Sequence, residues 1–182
     1  INECAPQAVQ LFILGVGLLL KPFNINTLVS WLYSPIHPIS GLLRYQLGDT
    51  VCASGGFFNE NCRQVIDNYI KEHPDEKDLI NNFLPNQADY IGEEHSVDRG
   101  RIIVMVESLK SWANQRAILL TEENEGDVRI EQLYALAEMC DMLMLLLEDE
   151  KEDAIDIEML DSMMSNIYKE VSFSQYQPQA GC

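Results

Sequence analysis

The chain has 182 residues, 47% of them apolar and 23% charged, which suits one globular unit with a packed core and excludes a disordered or fibrous class. Twelve basic against 29 acidic residues give a formal charge of −17, a field that repels phosphate backbones and anionic membrane surfaces. Nucleic acid is thereby disfavoured as a partner, and a basic protein is not.

The charge is uneven. Residues 121–171 hold 16 acidic and 3 basic side chains, a net of −13, which leaves −4 for the rest. Runs of this kind are most often solvated helix faces, and sometimes docking surfaces for cationic proteins.

At the N-terminus Val9, Phe12, Ile13, Val16, Leu19 and Leu20 recur at helical spacing behind Pro6, and Lys21-Pro22 ends the run. The apolar part is about twelve residues against the ~20 needed to span a bilayer, so a buried helix is expected, with no membrane span. The approach Ile1-Asn2-Glu3-Cys4 lacks the basic region of a signal peptide, and a first residue other than Met points to a removed upstream piece. Gly15 and Gly17 cost helix propensity and are expected to let another helix approach closely.

Asn24 or Asn26 caps a short helix through Leu28, Trp31 and Leu32 that stops before Ser34-Pro35, because the residue ahead of a proline is pushed out of helical geometry. Ser40 opens a third helix bearing Leu42, Leu43, Leu47 and Val51, closed by Ser54-Gly55-Gly56. Asn59 caps a fourth along Val65, Ile66, Tyr69 and Ile70, ended by His73-Pro74, and Asp75 begins a fifth with Leu79, Ile80 and Phe83. The stretch that follows Pro85 reads as loop and turn.

Ser96 and Asp98 open a long helix through Ile102, Val106, Leu109, Ala113 and Leu120. Residues 121–127 read as a solvated loop whose Asp127 caps the next helix, from Val128 to about Glu148. A last helix carries Ile157, Leu160, Met163, Met164, Ile167 and Val171, with 172–182 as a tail. No alternating period-2 pattern appears, and the strand-like run from Arg101 to Val106 continues into helical spacing. The expected fold is all-α: one domain over 1–171, an orthogonal or irregular bundle of seven to eight helices.

Catalytic and metal signatures are weak. The three histidines, His37, His73 and His95, belong to no nucleophile motif, and no close Cys/His pair matches a zinc knuckle. The acidic stretch 148–158 lacks the glycine and alternating ligands of a calcium loop, so neither metal nor cofactor is expected. Five scattered cysteines and no glycosylation sequon favour the cytoplasm over secretion. Cys52 and Cys62, flanking a helix–turn–helix joint, are the one pair with a spacing open to a disulfide. Cys140 reads as a small core hydrophobe.

Two short pieces carry a family likeness. Leu47-Gly48-Asp49 with Val51 at a helix end, and Gly100-Arg101 opening a long apolar helix, resemble in order and context the paired motifs of the B-cell-lymphoma-type apoptosis regulators. Arg44 and Arg99 stand where that pattern has leucine and tryptophan. The resemblance implies an all-helical fold with a groove for an amphipathic helix.

Three functions follow as expectations. The first is an acidic, non-enzymatic interaction domain, in its most concrete form an inhibitor or immunity-type binder of a basic protein. Its partner-binding face is expected on the two acidic, methionine-bearing helices, at Glu131, Glu138, Asp141, Met142, Glu148, Asp149, Asp156 and Met163. The second is the regulator-like groove, and the third an enzyme built from scattered carboxylates and His95.

Overall fold

A computed structural model describes residues 7–92 and 94–175. The fold is all-α. In chain order come α1 (Gln7–Gly17), α2 (Ile25–Leu32), α3 (Gly41–Ser54), α4 (Glu60–Glu72), α5 (Lys77–Phe83), α6 (Arg99–Glu123), α7 (Val128–Glu148) and α8 (Ile157–Gln175). Two three-residue strands, β1 (Ser96–Asp98) and β2 (Ala154–Asp156), stand just ahead of α6 and α8.

Local chemistry sets most of the boundaries. Asn24 Oδ1 accepts from the Asn26 and Thr27 amides, Asn59 from Cys62, Asp98 from Arg101 and Asp127 from Arg129, each satisfying amides that a helix start leaves without partners. Gly55 ends α3 at φ 70, a left-handed conformation that glycine adopts without strain. Ser40 occupies the position before α3 without making a side-chain cap. Pro74 starts a 3-10 turn that leads into α5.

The buried side chains form one continuous cluster that draws on every helix. Its axis is the antiparallel α6–α7 hairpin, joined through a short turn and seamed by Ala113, Ala117, Leu120, Leu133, Leu136 and Cys140. Both α1 and α8 dock on α7, α2 rests on α1, and α5 on α6. No helix among the described residues is long and apolar enough to cross a membrane.

Several expectations are corrected. Ser96–Asp98 is a strand, pairing antiparallel with Ala154–Asp156 so that Val97 faces Ile155. Both side chains are buried, and the Arg99 amide donates to the Asp153 carbonyl at 2.7 Å. α6 runs on to Glu123, through the start of the expected loop, because Leu120 still buries and Thr121 Oγ1 donates back to the Ala117 carbonyl. α8 continues to Gln175, past the expected start of the tail; residues 176–182, like Cys4, lie outside the described residues. A Cβ at Gly15 would meet Trp31 Nε1 at 3.6 Å and Met105 at 3.8 Å, ordinary contacts, so the approach there is less close than its glycine permits.

The Cys52–Cys62 disulfide is not formed. Cys52 is exposed on α3, while Cys62 is buried in the first turn of α4 with its thiol 3.6 Å from the Gly56 carbonyl. The glycine turn between them sends the two side chains into different surroundings. Cys140 is buried as expected, and burial pushes its thiol up to about 12.

Candidate functional site

The two elements that carry the expected interaction face present it differently. On α7 the exposed side is a stripe: Glu131, Tyr134, Glu138, Leu145 and Glu148 recur at three-, four- and seven-residue steps, with Asp141 and Met142 half-buried beside them. Acidic and apolar groups thus share one face. Asp141 is engaged within the molecule, accepting an ion pair from Lys110 of α6 at 2.5 Å. Asp149 follows the last turn of α7, exposed.

On α8 the expected residues separate. Met163 points into the core with Leu160 and Ile167, because the helix rotates it toward α7, and it offers no surface to a partner. Asp156 accepts from the Glu158 amide at 2.8 Å and so serves as the start of the helix. Its other carboxylate face remains exposed to solvent.

What sequence reasoning missed is the furrow between α1 and α8. Both helices dock on α7, and between them lies a cavity of about 540 Å³. Ile13, Val16 and Leu20 line one wall, Ile157, Leu160, Met164 and Tyr168 the other. Ile13 and Tyr168 are each 44% exposed, so both walls present apolar surface to the trough. Glu158 and Asp161 stand at one end of the α8 wall, and Lys169 at the other. At 1.5 Å per residue the α8 wall is about 18 Å long, the length of a three-turn helix. Ile13 falls on the apolar spacing of the first helix, but nothing in the sequence marks Tyr168 or makes α1 and α8 neighbours.

Arg44, Arg99 and Arg101 are all committed internally. Arg44 is buried, its guanidinium donating to the carbonyls of Ile39 at 2.9 Å, Leu32 at 2.7 Å and Ser34 at 2.9 Å. It ties the turn between α2 and α3 to α3. Arg99 donates to the Glu150 carbonyl at 2.9 Å, at the end of α7. Arg101 pairs with Asp89 at 3.2 Å and donates to the carbonyls of Asn82 and Leu84. Gly48 lies under the Tyr33 ring, where a Cβ would come within 2.6 Å of the hydroxyl.

No protein-family model, curated protein or solved structure matches the chain.

The histidines occupy three separate settings. His37 is half-buried in the α2–α3 turn, edge-on to Trp31 with centroids 4.2 Å apart. Its Nδ1 accepts from the Ile39 amide at 3.0 Å, which places the ring proton on Nε2, and Nε2 has no hydrogen-bond partner among the described residues. Burial first, and the Arg44 charge second, hold this imidazole down to about 2. The Trp31 backbone is close enough to favour the charged ring slightly, but not in hydrogen-bonding geometry. His73 stacks on Tyr69, and His95 sits exposed in the turn before β1. None of the three lines the furrow. Among the described residues, no three His, Cys, Asp or Glu side chains are arranged to hold a metal ion.

Proposed function

We propose that the protein is a helical interaction domain that seats an apolar segment of a basic protein partner in the α1–α8 furrow. The observation that carries this reading is the furrow itself: an apolar trough, lined by exposed Ile13 and Tyr168, with Glu158 and Asp161 at one end. Apolar area drives association, and the carboxylates select for cationic side chains and steer their approach. The α7 stripe, with Glu131, Glu138 and Glu148, extends the negative field available to such a partner.

An amphipathic helix with arginine or lysine on its flank is the simplest occupant, since the trough has the length of three helical turns and helix-in-groove recognition uses anchors at helical spacing. Blocking of a basic toxin or enzyme is the activity that such binding would serve.

Titration calorimetry at low ionic strength with designed basic amphipathic peptides tests the reading. Micromolar binding is expected, weakened about tenfold by Ile13→Asp and by the double change Glu158→Lys with Asp161→Lys, and lost progressively with salt. Absence of binding at low salt, or binding indifferent to both variants, removes the proposal.

A further inference from the structure

A second cavity, of about 580 Å³, opens between α4, the end of α5 and the turn that follows it. It shares no residue with the furrow, and its lining is as much polar as apolar. Phe58 forms one side. Its ring centroid lies 4.8 Å from that of Phe23, 5.1 Å from Phe57 and 5.7 Å from Tyr90, yet the side chain remains 38% exposed. Three aromatic neighbours hold the ring and leave part of it open.

Two amides at the edge are already fixed. Asn59 caps α4 and donates to the Gly56 carbonyl at 2.9 Å and to Ser54 Oγ at 3.0 Å; Asn86 accepts from the Ala88 amide at 3.1 Å. They build the walls. The rest of the polar lining is solvent-exposed: the side chains of Asp67, Asn81 and Gln87 make no hydrogen bond to described residues, and Arg63 has only Glu60 at 3.4 Å.

From this geometry we infer that the cavity binds a neutral saccharide, with one pyranose ring against Phe58 and its hydroxyls on Arg63, Asp67, Asn81 and Gln87. A hydroxyl both donates and accepts, so it pairs equally with an amide oxygen, an amide NH₂, a carboxylate and a guanidinium, the four kinds of group present. Pyranoses carry a C–H face that covers an exposed aromatic ring and hydroxyl edges that satisfy such a rim. Arg63 stands between Glu60 and Asp67 on α4, so the rim has no net positive charge, and the −17 of the chain further disfavours an anionic ligand. A cavity of this volume falls within the range of small-ligand sites.

Heteronuclear NMR on the full chain, titrated to about 50 mM with methyl glycosides of glucose, galactose, mannose and N-acetylglucosamine, is the test. Saturable shifts confined to the amides around Phe58, Arg63, Asp67, Asn81 and Gln87 are expected for at least one sugar. Asn81→Ala and Gln87→Ala, both at exposed positions, should keep the melting temperature and weaken binding about fivefold each. Phe58→Tyr should retain binding and Phe58→Ala lose it. Failure of all four sugars to shift these amides, shifts spread elsewhere, or adenosine and uridine binding in place of sugars would each overturn the inference.

Discussion

Arg101 of α6 and Asp89, in the turn that follows α5, form an ion pair at 3.2 Å with side chains only 16% and 15% exposed. The arginine also donates to the carbonyls of Asn82 at 2.7 Å and Leu84 at 3.2 Å, and Asp89 accepts from the Asn86 amide. One guanidinium therefore joins the start of the longest helix to the end of α5. Asp89→Ala leaves that charge with carbonyls alone and is expected to cost about 2–4 kcal/mol, read by urea denaturation. A loss under about 0.5 kcal/mol would mean that the pair is spent on solvent.

Arg44 performs a similar task without a carboxylate, through three carbonyls of the α2–α3 turn. Lysine keeps the charge but lacks the planar fork, so Arg44→Lys should cost nearly as much as Arg44→Met, about 2–4 kcal/mol for either. A lysine variant as stable as the parent would show that charge, not the fork, holds the turn.

His37 gives the protein an acid-sensitive turn. The unfolded chain protonates this ring near pH 6.5, the folded chain only near 2, so the unfolded state binds the extra proton between those values. The contribution is intact above about pH 6.5 and is lost as pH falls toward 2, at up to about 1.4 kcal/mol per unit. His37→Asn keeps an acceptor for the Ile39 amide and removes the titration. Between pH 7 and 4 the parent should lose about 3 kcal/mol more than this variant in paired urea melts. Parallel pH profiles would refute the assignment.

Met163 and Ser165 make a paired test of the furrow. Met163→Ala opens the core and should cost about 2–4 kcal/mol while leaving peptide affinity unchanged at temperatures where the chain is folded. Ser165→Arg is exposed on the furrow wall and should leave the melting point within about 2 °C while weakening a basic peptide about tenfold. The opposite pattern, in calorimetry and thermal melts on the same samples, would place the partner elsewhere.

These residues also mark what the sequence discloses. Asn59, Gly55, Asp98 and Asp127 act within a few residues of themselves, so the starts of α4, α6 and α7 and the end of α3 are legible from local chemistry. The β1–β2 pair is not, since three-residue strands carry no periodicity and pair across a long stretch of chain. Methionine at 163 and 164 shows the limit inside a helix: both fit an apolar stripe, and only the packing on α7 decides that Met163 is core and Met164 lines the furrow. The furrow follows from where α1 lies, which no local pattern encodes. The acidic face of α7 was visible because its exposure repeats with the helix; the Lys110–Asp141 pair within it was not.

The β1–β2 ladder bears on the order in which the protein assembles. Contacts near the turn of the α6–α7 hairpin are between residues near in sequence, and such contacts form early in helical chains. Pairing Val97 with Ile155 closes a loop of about sixty residues, whose entropy is recovered only once the hairpin has shortened the distance. The ladder is therefore expected to close late. Alanine at Val97 or Ile155 should speed unfolding and leave the folding rate nearly untouched in stopped-flow chevrons, so the ladder governs how long the native state lasts rather than how fast it is reached.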